Sequence, residues 1–301
     1  MGSLASRYSM TRIALLPGDG IGPEVVFAAL DVLPAGVETV WLEAGAERYL
    51  QTGEVLTPDE LDTIARCDAL LFGAVGDPRV PDGVLERGIL LRLRKELDLY
   101  VNLRPFPDLG IVFVRENTEG PYAGLGEGGS RVAVELNVNT RTAVERCARY
   151  AFSLAERRSG RMTWVHKTNV MGFAGALWRK VIDDVAASHP AVDVRYEHVD
   201  AAAYHLVDDP KRFDVILTDN LFGDILSDLA AGLSGGLGRA ASANLHPEPF
   251  TRPSRCVGLF EPVHGSAPDI AGKGVADPTG AIEAARLLLE ALAPEGSELS
   301  V

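Results

Sequence analysis

Apolar strand-like runs alternate with amphipathic helical patterns along most of the chain, and this alternation limits the fold more than any other feature. The runs "TRIALLPG", "DALLFGA", "GIVFVRE" and "FDVILTDN" are each short, apolar and bounded by glycine or polar residues. Strands that alternate with helices on this scale predict an α/β fold with a largely parallel sheet. Ligands of such folds bind beyond the carboxyl ends of the strands, so functional residues are expected there.

Several element boundaries can be predicted as well. A helix is expected from Pro23, and the strand in "LYVNLRPF" is expected to stop at Pro105, since proline has no backbone N–H. The run "RVAVELNV" alternates apolar and polar residues in the manner of a strand. A long helix is expected in "TRTAVERCARYAFSLAERR", and a strand in "MTWVH". No internal repeat or low-complexity linker interrupts the chain.

Composition excludes several classes of partner. The 301 residues are 47% hydrophobic and 24% charged, with a formal net charge of −13, so binding to nucleic acid or to an anionic membrane is not expected. Cys67, Cys147 and Cys256 are too scattered for a disulfide scaffold or a CxxC metal site. We expect a soluble cytoplasmic protein. The opening "MGSLASRYSM" lacks a signal-peptide core, and one interpretation is an expression remnant ahead of a native start at Met10.

The stretch "TDNLFGDILSD" places carboxylates among apolar residues. If a helix starts near Phe222, Asp224 and Asp228 are four residues apart and share one face. Like charges at that spacing repel, and partly buried carboxylates need a cation. An alternative is that Asp219 and Asp224 favour a helix N-terminus, with Asp228 simply solvated.

Basic side chains follow several predicted strands or helices. Arg94, Arg104 and Arg115 have the geometry for bidentate binding of carboxylates, although single arginines more often form surface ion pairs. Lys167 in "VHKTNV" is a candidate general base or a structural ion-pair partner. Tyr122 in "EGPYAG" is a candidate proton donor or a loop anchor.

Taken together, these residues indicate a site for a multiply carboxylated substrate held on a divalent metal. Hard oxygen ligands without His or Cys favour Mg²⁺ or Mn²⁺. The loop "EPVHGSAPDIAGKG" contributes His264 and Asp269 among small residues that allow close backbone approach. The turn "GDGIGPE" does not match a dinucleotide fingerprint, because Gly22 comes one residue early.

These motifs resemble those of the β-decarboxylating dehydrogenases, which include the isopropylmalate, isocitrate, homoisocitrate and tartrate dehydrogenases. The matching stretches run in family order from Ile13 to about Ala284: "LPGDGIGPEV", "LRKELDLYVNLRP", "VRENTEGPYAG", "VHKTNV", "TDNLFGDILSD" and "FEPVHGSAPDIAGKGVADPT". The combination of "VLERGILLRLRKELD" and "EGPYAG" is most similar to the isopropylmalate dehydrogenases of high-GC bacteria.

The resemblance implies an isopropylmalate/isocitrate dehydrogenase-like fold, with two α/β domains around a central cleft and no standard Rossmann topology. Residues 1–100 and 236–301 would form the cofactor-binding domain. Residues 101–235 would form the domain for dimerisation, metal and substrate. It also implies a homodimer with shared active sites, in which Lys167 and Asp200 come from the neighbouring subunit.

The resemblance further implies a role for each matching residue. The catalytic residues would be Tyr122, Lys167 and Asp200, and the metal ligands Asp200, Asp224 and Asp228. The substrate would be bound by Arg94, Arg104, Arg115, Leu90 and Leu91. The cofactor would be bound by Ala74, Gly76, His264, Gly265, Ser266, Ala267, Asp269, Ile270 and Asp277.

Cofactor and substrate are expected from three of these positions. A carboxylate at Asp269 accepts from the 2′-OH of NAD and repels the 2′-phosphate of NADP, so NAD is expected together with Mg²⁺ or Mn²⁺. Leu90 and Leu91 lie four and three residues before Arg94 and suit a branched alkyl group at C3 of a malate. Arg92 is expected to point off that face. We expect oxidative decarboxylation of 3-isopropylmalate to 4-methyl-2-oxopentanoate in leucine biosynthesis.

Alternatives remain open at this point. The sequence "ENTEG" is common in relatives acting on isocitrate, homoisocitrate or tartrate, and another 3-substituted malate from a specialised pathway would also fit. A catalytically silent regulatory paralogue is a further alternative. The chain is shorter than the family pattern before "IVFVREN", after "YAGLGE" and at its end, "LEALAPEGSELSV", which suggests either a compact natural variant or a truncated one.

Overall fold

The computed structural model describes residues 11–249, 251–293 and 301. The interpretations concerning the residues before Met10 and the chain end after Ala293 fall outside the described residues. The chain forms two compact units. Unit 1 comprises the described residues of Met1–Leu99 and Gly235–Ser300, and unit 2 comprises Tyr100–Ser234 with Val301. The cofactor-binding and dimerisation roles expected for these parts of the chain stay predictions.

The sheet of unit 1 has the strand order β2-β1-β3-β12-β11. The strands are β1 (Arg12–Gly18), β2 (Glu38–Trp41), β3 (Ala69–Ala74), β11 (Ala241–Leu245) and β12 (Gly258–Pro262). Strands β2, β1, β3 and β12 run parallel, and β11 pairs antiparallel with β12. Every residue of β3, β11 and β12 is buried, as expected for strands covered on both faces.

Helices connect these strands. They are α1 (Gly22–Ala29), α2 (Ala46–Thr52), α3 (Pro58–Arg66), α4 (Arg92–Glu96) and α9 (Thr279–Ala291), with 3₁₀ turns at Leu30–Val32 and Leu237–Arg239. A π-helical segment, Glu86–Leu91, leads directly into α4. Helix α3 starts with a capping box, in which Thr57 Oγ1 accepts from the Glu60 N–H at 3.2 Å and Glu60 Oε2 accepts from the Thr57 N–H at 2.9 Å.

The sheet of unit 2 has the strand order β4-β5-β10-β8-β9. The strands are β4 (Val101–Phe106), β5 (Ile111–Glu116), β8 (Arg161–His166), β9 (Asp193–His198) and β10 (Val215–Thr218). Strands β4 and β5 pair antiparallel, and the pairs from β5 to β9 are parallel. Two short strands, β6 (Gly126–Gly128) and β7 (Ala133–Glu135), form a separate exposed hairpin.

The helices of unit 2 are α5 (Arg141–Arg157), α6 (Gly172–Ala186), α7 (Val199–Asp208) and α8 (Asn220–Leu233), with 3₁₀ turns at Pro107–Leu109, Pro121–Ala123 and Pro210–Arg212. Trp164, Trp178 and Phe152 are fully buried between sheet and helices. In residues 11–249 and 251–293, no helix has the length and apolar character needed to cross a membrane. Both units are α/β, which confirms the predicted fold class.

Two predicted boundaries were wrong. Strand β4 continues through Pro105 to Phe106, with Pro105 opposite Val112 of β5. Proline's fixed φ is compatible with an extended strand, and only the hydrogen-bond donor is lost. The strand predicted in "RVAVELNV" is limited to Ala133–Glu135 and is exposed, so its alternation does not mark a half-buried sheet.

Strand register brings the carboxyl ends of the unit 2 strands side by side. Thr218 at the end of β10 pairs with Arg115 of β5 on one side and with Val165 of β8 on the other. The residues that follow β8 and β10 are therefore neighbours at one edge of the sheet. Arg115, Lys167 and the start of the helix that carries Asp224 and Asp228 lie at this edge.

Candidate active site

Helix α8 presents Asp224 and Asp228 on the same face, as its spacing predicts. Asp219 caps the helix, because its Oδ1 accepts from the Phe222 N–H at 2.8 Å. The observed helix start thus assigns Asp219 to capping, while Asp224 and Asp228 lie one and two turns further along. Both carboxylates contact Arg104 of β4.

Arg104 is buried and its guanidinium donates to four polar partners. Its Nη1 donates to Asp228 Oδ1 at 2.8 Å and to Ser227 Oγ at 2.8 Å, and its Nη2 donates to Asp224 Oδ1 at 3.3 Å. Its Nε donates to Asn102 Oδ1 at 3.1 Å. A buried guanidinium needs such acceptors, since an unpaired buried charge is costly.

Arg115 of β5 lies directly beneath helix α8. Its Nη1 donates to Asp224 Oδ1, and its Nε and Nη2 donate to Asn220 Oδ1 at 2.9 and 2.6 Å. Only a glycine at position 223 allows this approach, because a Cβ there would lie 2.7 Å from Arg115 Cγ. The Arg115 side chain therefore packs directly against the backbone of helix α8 at Gly223.

Tyr122 completes a group that we call the arginine–aspartate cluster, consisting of Arg104, Arg115, Tyr122, Asp224 and Asp228. The Tyr122 hydroxyl donates to Asp224 Oδ2 at 2.6 Å, and the Arg115 guanidinium lies 5.0 Å from the centre of the tyrosine ring. Partial burial raises the pKa of Asp228, an effect that Arg104 opposes and that the charge of Asp224 reinforces. Cations thus offset the like-charge repulsion expected from the sequence.

Lys167 and Asp200 form a second group in unit 2, the Lys167–Asp200 pair. Lys167 follows β8 and its Nζ donates to Asp200 Oδ1 at 2.6 Å. Asp200 lies in the first turn of α7 with its side chain largely exposed. The hydrogen bond from Lys167 lowers the pKa of Asp200, so the carboxylate is charged at neutral pH.

The predicted metal ligands are divided between these two groups. In the described part of one chain, no three His, Cys, Asp or Glu side chains come together in a way that could hold a metal ion. The paired carboxylates of Asp224 and Asp228 are hard oxygen donors, the ligand type that Mg²⁺ and Mn²⁺ prefer. Asp224 and Asp228 therefore fit a divalent cation, and a further ligand has to come from outside the arginine–aspartate cluster.

In unit 1, Arg94 is buried and its Nη2 contacts Glu261 Oε1 at 3.3 Å. Asn244 Nδ2 donates to the same oxygen at 2.8 Å. Glu261, in the middle of "LFEPV", was not among the predicted site residues. Its only sequence signal is a carboxylate within an otherwise apolar strand, which implies a buried cationic partner.

The two predicted substrate-contacting leucines of unit 1 lie in the π-helical segment. Leu90 packs against the apolar core of this unit, and Leu91 is partly buried. A π-helix has a wider turn than an α-helix, so α-helical spacing does not place these side chains relative to Arg94. Arg92 points elsewhere, since its Nη1 donates to the Leu56 carbonyl at 2.6 Å.

The predicted cofactor-binding residues fall in two loops of unit 1 that meet at the glycine turn after β1. The Ile21 N–H donates to the Ser266 carbonyl at 2.9 Å, and a Cβ on Gly20 would lie 1.9 Å from that oxygen. The Gly76 N–H donates to Asp19 Oδ2 at 3.0 Å, and the Asp19 N–H donates to the Ala74 carbonyl at 2.7 Å. The glycines of "GDGIG" thus serve close backbone packing.

The remaining residues of the predicted cofactor loop stay near the surface. Ala267 adopts a left-handed conformation with φ +40°, and its carbonyl accepts from the Ile270 N–H at 3.1 Å. Asp277 Oδ1 accepts from the N–H and hydroxyl of Thr279, which lowers the pKa of Asp277. Asp269 is exposed. The other two loop residues are His264, whose Nδ1 contacts the Gly265 carbonyl at 2.9 Å, and Gly265 itself.

Three polar residues that hold the cluster were not predicted. Asn220 accepts from Arg115, while Asn102 and Ser227 accept from Arg104. Asn102 could have been found from strand geometry, because residues two apart on a strand share a face and Arg104 follows at that spacing. Asn220 and Ser227 are adjacent in sequence to Asp219 and Asp228 but carry no separate signal.

Comparison with known proteins is consistent with the motifs. Residues 12–297 match the family model described as isocitrate/isopropylmalate dehydrogenase. The chain is 53% identical to the 3-isopropylmalate dehydrogenase of Nocardia farcinica, over 93% of this chain and 89% of that protein. It is 50% identical to the 3-isopropylmalate dehydrogenase of Mycobacterium tuberculosis, over 93% of this chain and 88% of that protein.

Solved structures show the same fold. A crystal structure of isocitrate dehydrogenase from Methylococcus capsulatus superposes with a TM-score of 0.84 at 38% identity, covering 96% of this chain and 87% of that chain. A β-decarboxylating dehydrogenase from Thermococcus kodakarensis, in its apo form, superposes with a TM-score of 0.79 at 43% identity, covering 94% and 84%.

Proposed function

The chain belongs to the isocitrate/isopropylmalate dehydrogenase family, and from this premise we propose that it oxidises and decarboxylates 3-isopropylmalate to 4-methyl-2-oxopentanoate. This reaction belongs to leucine biosynthesis. The observation that carries the proposal is the arginine–aspartate cluster, in which two buried guanidiniums, two carboxylates and a phenol converge at one sheet edge. The identity to relatives named 3-isopropylmalate dehydrogenase selects the substrate within the family.

We assign the substrate carboxylates to Arg94, Arg104 and Arg115. All three guanidiniums are buried and already paired with carboxylates of the protein. A substrate carboxylate that replaces a protein carboxylate keeps each guanidinium paired. Arg104 and Arg115, both fixed by packing in unit 2, also hold the malate in one orientation, which positions C2 and C3 for the two steps.

Asp224 and Asp228, with Asp200, would hold Mg²⁺ or Mn²⁺. A divalent cation bound there supplies Lewis-acid polarisation of the substrate oxygens. When substrate carboxylates take over Arg104 and Arg115, the two aspartates lose these guanidinium partners, and their charge then favours a cation. Substrate and metal binding should therefore support one another.

Tyr122 and Lys167 are the proposed proton-transfer residues. Lys167 accepts the proton of the C2 hydroxyl when its amine is unprotonated, and Asp200 holds the Lys167 Nζ in place. Tyr122 donates its hydroxyl proton to C3 after CO₂ has left. Its hydroxyl is held by Asp224 at 2.6 Å, which fixes the phenol within the cluster.

We propose a homodimer in which the Lys167–Asp200 pair of one chain completes the arginine–aspartate cluster of the other. This arrangement is supported by the division of the candidate metal ligands, because the described residues of one chain bring together only two of the three aspartates. Cys67, Cys147 and Cys256 are free thiols, which favours a reducing compartment, and we therefore propose a cytoplasmic location.

The experiment that tests the function is an assay of NADH formation with Mg²⁺ and a panel of malates carrying different C3 substituents. We expect the highest kcat/KM for the isopropyl compound, with isocitrate, homoisocitrate and tartrate well below it. A pocket that is one methylene too large or small typically discriminates by roughly 10- to 200-fold. Highest kcat/KM with a tricarboxylate would contradict the substrate assignment while retaining the reaction class.

NAD is the proposed cofactor, and Asp269 is the residue expected to select it. Replacing Asp269 by Lys should weaken NAD and strengthen NADP, because the repelled 2′-phosphate becomes an attracted one. The matched control is Asp31→Lys, which adds the same charge at another exposed aspartate of unit 1. The measurement is the ratio of kcat/KM for NAD and NADP. An unchanged ratio in Asp269→Lys would show that Asp269 does not select the cofactor.

Glycine 223 offers a test of Arg115 that leaves every polar side chain in place. A Cβ at this position lies 2.7, 2.9 and 3.0 Å from three carbons of the Arg115 side chain, so Gly223→Ala must displace the arginine. We expect the KM for 3-isopropylmalate to rise by roughly 10- to 100-fold, equivalent to about 1.5–3 kcal/mol for a hydrogen bond to a charged group.

The control for this substitution lies on the same helix. A Cβ on Gly232 meets no atom of the described residues within 4 Å, so Gly232→Ala should leave KM unchanged and stabilise the protein by about 0.5–1 kcal/mol. Thermal unfolding and substrate titration of both variants separate the two effects. Equal KM values in the two variants would argue against a role for Arg115 in substrate binding.

A further inference from the structure

Two buried polar side chains at the carboxyl ends of the unit 2 strands have no role in the chemistry described so far. His166 is the last residue of β8, and Asp219 follows the last residue of β10. Since Val165 pairs with Thr218, these two residues are neighbours across the parallel strands. His166 is fully buried and Asp219 almost fully, and His166 Nε2 lies 3.6 Å from Asp219 Oδ2.

The imidazole of His166 lies among aromatic rings. Those of Trp164 and Trp178 lie 6.0 Å away, and that of Phe222 lies 5.8 Å away edge-on. Within residues 11–249 and 251–293, neither ring nitrogen has a hydrogen-bond partner. A buried polar group left without a partner costs about 1–3 kcal/mol, so a hydrogen bond that His166 can form is strongly favoured. The carboxylate of Asp219 needs to approach by less than about 1 Å to reach normal hydrogen-bond distance.

Asp219 connects this histidine to helix α8. Its Oδ1 caps the helix by accepting from the Phe222 N–H at 2.8 Å, which leaves Oδ2 on the side of His166. The next turns of the same helix carry Asp224 and Asp228. The residue that follows His166 is Lys167.

We propose that His166 is a positioning residue, whose Nε2–H donates to Asp219 and thereby fixes the N-terminus of α8 against the strand that leads to Lys167. The inference rests on the proposed function for the roles of Lys167, Asp224 and Asp228. It adds a residue that touches neither substrate nor cofactor and acts through the cap of the helix.

The charges around the pair determine the conditions for a test. Burial lowers the pKa of His166 to about 4, so its ring is neutral and carries one proton at neutral pH. Burial raises the pKa of Asp219 to about 7; Arg115 opposes this shift and Glu116 reinforces it. Above that pH Asp219 is a carboxylate and can only accept, so the histidine must be the donor.

The first measurement is the tautomer of His166, read by ¹⁵N NMR of histidine-labelled protein at pH 8. Wild-type His166 should carry its proton on Nε2. In Asp219→Asn, the amide oxygen retains the helix cap and the NH₂ group faces His166, so Nε2 must accept and the proton should move to Nδ1. His205, whose Nδ1 contacts Glu197 Oε2 at 2.9 Å, should keep its tautomer and serves as control.

The second measurement compares two substitutions of His166 in the dehydrogenase assay. His166→Phe keeps an aromatic ring and removes the donor, and we expect kcat to fall by roughly 10- to 100-fold, with the KM for NAD unchanged. His166→Gln loses the ring but can place an amide N–H near the same carboxylate, so it should recover most of the lost kcat. His166→Gln also identifies the His166 signal in the spectra.

A wild-type His166 protonated on Nδ1 at pH 8 would overturn the proposal, and this result requires no variant to fold. Equal losses of kcat in His166→Phe and His166→Gln would also overturn it, because packing would then explain the effect. If the wild-type protein lacked dehydrogenase activity, the proposed function would fail, while the tautomer would still decide whether the His166–Asp219 hydrogen bond exists.

Discussion

Asp224→Asn is expected to reduce turnover of 3-isopropylmalate by more than about 100-fold, beyond the usual loss when an outer-shell partner of a metal is removed. Asp224 is the centre of the arginine–aspartate cluster, since it accepts from Arg104, Arg115 and Tyr122. Asparagine keeps the shape of the side chain but replaces one acceptor oxygen by an NH₂ group. This donor then faces the donors of the arginines and of Tyr122. It also removes a charge from the proposed metal ligands.

The measurement is kcat as a function of Mn²⁺ concentration, for which raised metal should recover little activity. Asp183→Asn, at an exposed aspartate of α6, is the matched control and should behave as wild type. Near-wild-type activity of Asp224→Asn at limiting metal would exclude Asp224 as a ligand. Thermal unfolding of both variants shows whether a loss of activity reflects a loss of fold.

Tyr122→Phe and Lys167→Met should fail at different chemical steps. Tyr122→Phe keeps the ring against Arg115 and removes only the hydroxyl, so oxidation should continue while protonation of C3 slows. General acid catalysis typically contributes ~10²–10⁴ in rate, and overall turnover should fall within that range. Lys167→Met should instead block hydride transfer, because the C2 hydroxyl then lacks the group that assists its deprotonation.

Single-turnover experiments that follow NADH and CO₂ separately distinguish the two variants. We expect a normal burst of NADH from Tyr122→Phe and none from Lys167→Met. Tyr122→Phe should also still reduce NAD with a 2-hydroxy acid that needs no decarboxylation. If both variants lose the NADH burst equally, the two residues act as one proton relay and the division of roles is wrong.

The sequence predicts the parts of the fold that depend on local pattern. The buried strands β1, β3, β5 and β10 lie where apolar runs bounded by turn residues indicate strands, and α8 starts close to Phe222 as its acidic pattern suggests. Strand β9, "DVRYEH", is the clearest omission. It is a polar edge strand, so the apolar signal that marks the buried strands is absent.

Site residues could be named from the sequence, but their present contacts could not. Arginines and aspartates were assigned separately to substrate and metal, whereas in the structure Arg104 and Arg115 bind Asp224 directly. A buried charge must be paired in every state of the protein, so the same side chains pair with each other when nothing else is bound. Which strand faces which helix depends on topology, and no single stretch of sequence encodes it.

The spacing of Leu90 and Leu91 illustrates a second limit. Counting back from Arg94 assumes α-helical geometry, and the structure has a π-helix over Glu86–Leu91. Packing decides the hydrogen-bond pattern of a helix as much as its residues do. A π-helical turn, which holds one more residue than an α-helical turn, can therefore form without any signal in the sequence. The predicted roles of these leucines stay predictions.

In the proposed homodimer, two chains together form each decarboxylating site, with the Lys167–Asp200 pair of one chain beside the arginine–aspartate cluster of the other. Lys167→Met retains Asp224, and Asp224→Asn retains Lys167. Unfolding and refolding a mixture of these two inactive variants therefore tests whether the site is shared between chains. Half of randomly formed dimers are hybrids with one intact site of two, and we expect roughly a quarter of wild-type turnover of 3-isopropylmalate. If the refolded mixture is as inactive as either variant alone, while wild-type protein recovers its activity under the same treatment, the site is not shared between chains.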